Sequence, residues 1–200
     1  MRPFLLTVIA IIVNLTYSYA QKDPELRIAL SKMSAISTLN NPLATLNLTS
    51  PRLIKPMGGK ENALKLFKKS MAEIQKDNVT IDSVINYTDR EIFKVKNIQY
   101  CFFPQLIVLG IPDSTKKMIR YSTLMAIKEP GVKGWTFLDY SGLNDEKLNF
   151  LFPELAGKLD FPRGDIKPLV IRNEEVNSCI GYLLKTIEES MKKMNSVAAK

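Results

Sequence analysis

Asp139 and Tyr140 stand at the end of a strand-like run, Gly134-Trp135-Thr136-Phe137-Leu138, and by type they suit acid–base work best. Burial at the mouth of an apolar pocket raises a carboxylate's pKa, and a neighbouring phenol can hold or return a proton. Asp82 and Glu91 are further carboxylates that would need the same burial. The plainer reading is that Asp139 caps the following turn and Tyr140 packs at a sheet edge. Gly58-Gly59-Lys60 at a helix start invites phosphate, but it lacks the G-x-x-x-x-G-K-[ST] spacing and follows no strand. A tight turn explains the glycine pair as well.

The chain contains no histidine. That excludes a Ser-His-Asp triad, a Cys-His dyad and a His-ligated zinc site. Two cysteines are too few for a Cys₄ site. Nothing in the pattern calls for a cofactor. The formal charge of +8 over 200 residues is spread along the chain and mixed with acids, with no nucleic-acid motif. Nucleic acid is therefore not an expected partner.

Aromatic and sulfur side chains are the remaining candidates. Tyr100, Phe102, Tyr121, Met125 and Trp135 lie on strand-like runs and would line a pocket if one sheet face enclosed a cavity. Alternation alone does not say which face is inside, and plain core is the competing reading.

The elements that position these residues follow from periodicity. Asp23-Pro24-Glu25 starts a helix to about Leu39, and Pro42, Pro51 and Pro56 break the next stretch into short turns. Lys60 to Lys76 carries an apolar stripe of Ala63, Leu64, Phe67, Met71 and Ile74. Residues 79–88, 91–109, 115–128 and 134–140 read as four strands with short, hence antiparallel, connections. A short helix over Leu143 to Phe152 and a long one from about Glu174 to Ser196 follow. The order predicts an α+β domain, helices on a four-stranded antiparallel sheet, with an extra C-terminal helix.

The first twenty residues read as a signal peptide. Arg2 precedes ten largely apolar residues, Phe4 to Val13, and Ser18-Tyr19-Ala20 places small residues before cleavage at Ala20/Gln21. A membrane span needs about 18–20 apolar residues, so no span is expected. The expected location is periplasmic or extracellular, where Cys101 and Cys179 can pair. The competing reading is two buried thiols. Asn47, Asn78 and Asn86 head acceptor sequons should the host glycosylate.

Ser50-Pro51-Arg52-Leu53-Ile54, then Met57-Gly58-Gly59-Lys60-Glu61-Asn62, then Gly134-Trp135-Thr136-Phe137-Leu138-Asp139 and Leu151-Phe152-Pro153 mark out a pattern. It resembles the nuclear transport factor 2-like superfamily (SnoaL and ketosteroid-isomerase-like cones), in particular its small secreted bacterial envelope members. The resemblance implies a strongly bent sheet around helices, an apolar pocket and a possible homodimer. It divides the chain into a leader over 1–20, a cone-like domain over 21–162 and a C-terminal extension over 163–200. A second, cystatin-like pattern is Gln105-Leu-Ile-Val108-Leu-Gly110 with Gly134-Trp135. Its first motif is one residue too long and its second lacks the proline. Three functions follow in order: an exported non-catalytic module binding a small apolar ligand or a protein partner, a carboxylate/Tyr cone enzyme, and a protease inhibitor.

Overall fold

The computed structural model describes residues 23–112, 114–159 and 167–198. The leader and its cleavage site lie outside them.

Helix α1 (Pro24–Thr38) begins where Asp23 accepts a 2.9 Å hydrogen bond from the Leu26 amide, with Pro24 in the first turn. Asn41 caps α2 (Pro42–Leu48) through the Ala44 amide. A one-turn helix α3 (Pro51–Ile54) tightens into a 3₁₀ turn over Lys55–Met57 and stops at Gly58, whose φ of 84° suits glycine. The glycine pair is thus a helix stop and a helix entry. Helix α4 (Lys60–Lys76) follows.

The sheet is antiparallel and open. Strands β3 (Ile98–Gly110) and β4 (Lys116–Lys128) are its long central pair. On one edge of β3 lie β1 (Thr80–Asn86) and β2 (Phe93–Val95), and on the other edge of β4 lie β5 (Thr136–Asp139) and β6 (Leu169–Arg172). Pro104 sits mid-strand without breaking the ladder. Its partner Thr123 directs its amide away, to Ser141, so the missing proline N–H falls on the edge where β1 has just ended. Helix α5 (Asp145–Leu151), a 3₁₀ turn over Pro153–Leu155, and helix α6 (Val176–Ala198) complete the chain.

This is the expected α+β arrangement with its C-terminal helix, and it differs in detail. The run 91–109 is a hairpin rather than one strand, turning at Lys96 with φ 53°. A sixth strand, β6, lies between the short helix and the C-terminal one, where no element was expected.

The two sheet faces bury different partners. Ile98, Tyr100, Phe102, Met125, Ile127, Leu138 and Tyr140 pack under α5 and its 3₁₀ turn, with Met191 of α6. Further along the same face Leu106, Val108 and Ile119 receive Val176, Cys179, Ile180, Leu183 and Leu184 of α6. The C-terminal helix therefore covers the sheet and shares its core. On the opposite face Cys101, Phe103, Leu124, Ala126, Trp135 and Phe137 meet Leu26 and Leu30 of α1.

Arg52 ties the helical layer to the α5 end of the molecule. Its Nε lies 2.7 Å from Glu129, and its fork donates to both Glu154 oxygens, at 2.8 and 3.1 Å, and to the Leu151 carbonyl. The guanidinium also stands 5.1 Å from the Phe152 ring centroid.

Candidate functional site

Helices α2, α3 and α4 pack on one another through Leu46, Ile54 and Ala63. Helix α4 thus rests on α2 rather than on the strands, and a groove of about 280 Å³ remains between this layer and the sheet. Met33, Thr45, Leu53 and Phe67 form its helical side. Its floor is the sheet face carrying Gln105, Arg120, Ser122, Leu124, Phe137 and Asp139.

Register explains the floor. Ile107 pairs with Arg120, Gln105 with Ser122, and Leu124 with Asp139. Because strand side chains alternate, these rows share one face. Gln105 and Ser122 are buried, at 7% and 4% exposure, among the largely apolar central residues of β3 and β4. Each is oriented. Gln105 Nε2 donates to Asn86 Oδ1 at 2.8 Å, Asn86 Nδ2 donates to Ser34 Oγ at 2.6 Å, and Ser34 Oγ donates to the Leu30 carbonyl of α1. That chain uses one N–H of the Gln105 amide and leaves its carbonyl oxygen without a hydrogen bond from the described residues. Ser122 Oγ donates to Asp139 Oδ1 at 3.0 Å. The result is an apolar-walled slot with an acceptor, a cation and a carboxylate along its floor.

The acid–base pair does not converge. Asp139 is exposed on the groove face, and its Oδ1 also accepts from the Ser141 amide at 3.0 Å, which makes it a turn cap. Tyr140 points to the other face, 1% exposed, with its ring 4.7 Å from that of Phe102. Asp82 lies outside the groove. Partial burial pushes its pKa up, but hydrogen bonds from Lys117 at 2.6 Å and Thr80 outweigh this and hold the carboxyl below its ordinary value. A base activated by burial would be shifted the opposite way.

The five aromatic and sulfur candidates do not line one pocket. Tyr100, Phe102 and Met125 are core beneath α5 and α6, and Tyr121 packs on the α6 cluster. Trp135 is on the opposite face beside Leu26, its indole nitrogen buried without a hydrogen-bond partner among the described residues. Cys101 and Cys179 do not pair. Cys101 faces α1 while Cys179 rides on α6 across the sheet, and both are free thiols. Burial, only partly offset by nearby Arg90, pushes the Cys101 thiol up to about 12. The cystatin-like segment 105–110 is the C-terminal half of β3, paired to β1 on one side and β4 on the other up to Gly110, with Val108 buried.

Of the polar groove residues, the sequence marks Asp139 as a chemical candidate and Gln105 only as part of the cystatin-like pattern. Arg120 and Ser122 belong to no motif. Their signal is polarity at alternate positions of an apolar strand, 120 and 122, facing 107 and 105 once the hairpin is closed.

No protein-family model, curated protein or solved structure matches the chain. Among the described residues no helix is long and apolar enough to cross a membrane, and no group of three or more Cys, Asp or Glu side chains is placed to hold a metal ion.

Proposed function

We propose that this is an exported, non-catalytic binding module whose groove between the helical layer and the sheet holds a small ligand. The observation that carries the reading is the groove itself. It has apolar walls and a floor whose buried polar groups, Gln105 and Ser122, are held in place by hydrogen bonds behind and beside them. Buried polar side chains in a strand cost stability unless they are partnered, and an oriented polar floor under apolar walls is the usual chemistry of a ligand site. The separation of Asp139 from Tyr140 favours binding over turnover. Export rests on the leader-like first twenty residues.

Native mass spectrometry of the chain purified from its own export route tests this. A reproducible small adduct on the wild type, lost in Thr45→Trp, is the expected result. Thr45 is half-buried at the groove wall, so an indole there fills the space without entering the sheet. An adduct that survives the substitution, or no adduct at all, overturns the reading.

A further inference from the structure

Resting on the groove reading above, we propose that its ligand is an amphipathic monocarboxylate with a short apolar tail, seated with its head on Arg120. Arg120 is exposed, lines the groove, and makes neither an ion pair nor a hydrogen bond with the described residues. Its basic neighbour on β4, Lys117, is already committed to Asp82 at 2.6 Å. An arginine fork offers parallel N–H donors that match a carboxylate in geometry as well as charge.

The opposite end of the groove excludes a second anion. Asp139 lies on the Leu124 row, four residues along β4 from Arg120, which places the two rows about 13 Å apart along the strand. Between them the helical wall is Met33 and Phe67, over the floor row of Gln105 and Ser122. A molecule lying lengthwise meets a cation first, then an apolar wall above a polar row, and a carboxylate last. An anionic head and an apolar tail satisfy that order in one orientation. A dicarboxylate sets its far end against Asp139, and an alkylammonium that turns its head to Asp139 meets a carboxylate already accepting from Ser122 and the Ser141 amide while Arg120 goes unanswered.

Octanoate, octanol, octylamine and suberate are the probes, titrated into the isotopically labelled full chain and read from backbone amide shifts. Octanoate is expected to move the amides of Gln105, Ser122 and Leu124 and to bind at least tenfold more tightly than octanol, with suberate weaker than octanoate. Arg120→Gln is expected to abolish the advantage of octanoate over octanol, and Asp139→Asn to bring suberate closer to octanoate. Octanol binding as tightly as octanoate, or an octanoate advantage that survives Arg120→Gln, overturns the head-group assignment and leaves the groove reading standing. If none of the four probes moves the groove amides, the groove reading itself fails. Should Arg120→Gln not fold, the wild-type ranking of octanoate against octanol decides alone.

Discussion

Removing the Arg52 guanidinium leaves a buried carboxylate without its counter-charge, and the cost follows from the geometry. Glu129 has a side chain only 6% exposed, and Arg52 Nε stands 2.7 Å from its Oε2 as a charge contact without the alignment of a hydrogen bond. Arg52 itself is 28% exposed and shares its fork with the more open Glu154. Breaking a buried pair from one side costs about 3–5 kcal/mol, and solvent access on the arginine side places this one at the low end, about 3 kcal/mol. Arg52→Met keeps the aliphatic stem against Phe152 while deleting the charge, so the loss reports the electrostatics more than the packing. For a chain of this size that is a fall of about 6–12 °C in Tm. Glu129→Gln in the Arg52→Met background removes the stranded charge and is expected to recover at least about 1 kcal/mol. Urea unfolding of the four members of the cycle measures each value. A loss below about 1 kcal/mol for Arg52→Met, or no recovery in the double variant, would show that water reaches Glu129 and refute the reasoning.

Native alkylation should label Cys179 and spare Cys101, whose thiol is buried and pushed up to about 12; both label in denaturant, and a mass 2 Da low before reduction would contradict free thiols. Arg52 holds the Glu154 carboxyl below its ordinary range, and Lys117 with Thr80 does the same for Asp82. A depressed carboxyl contributes stability that is present above its unfolded pKa and lost as pH falls through the folded one, so the urea midpoint should fall between about pH 5 and pH 3. Glu154→Gln should flatten part of that decline, and an unchanged pH profile counts against the pairing. Asp139→Asn keeps the acceptor for the Ser141 amide and should cost under about 0.5 kcal/mol, whereas Asp139→Ala should cost about 1 kcal/mol; equal losses would mean that Asp139 is not acting as a cap. Truncation before Val176 uncovers Leu106, Val108 and Ile119, and the truncated chain should bind a hydrophobic dye or aggregate; a soluble, dye-silent product would remove α6 from the core.

Helix positions were legible where local chemistry marks them. Lys60–Lys76 is the predicted α4 end to end, because the glycine pair opens it and its apolar stripe is unbroken. The long strands were legible from β-branched and aromatic density. The β2–β3 hairpin was not, since Lys96 takes a left-handed turn without a glycine or proline to announce it. Strand β6 was not, because four residues after a proline are too few to show a period. Whether Cys101 and Cys179 pair stays open in the sequence for a related reason. Alternation sorts Cys101 with Phe103 and away from Phe102, but nothing local says that α6 crosses on the Phe102 side.

That same ambiguity decided which residues looked functional. Both faces of β3 and β4 are apolar, so the aromatics invited a pocket on either side. Helix α6 and α5 fill one face to close packing, and there Tyr100, Phe102 and Met125 need no explanation beyond the core. On the other face α1 seals only the end around Leu26 and Leu30, while α2 and α4 meet each other through Leu46 and Ala63. A helical layer that packs on itself leaves the strands beneath it partly unroofed. Polar residues can survive there at moderate cost, and Gln105, Arg120, Ser122 and Asp139 occupy that stretch. In a sheet covered on both sides, the informative residues are therefore the polar ones on strands with apolar neighbours. Their presence marks where the cover is thin, and their hydrogen bonds mark what the protein holds ready to meet.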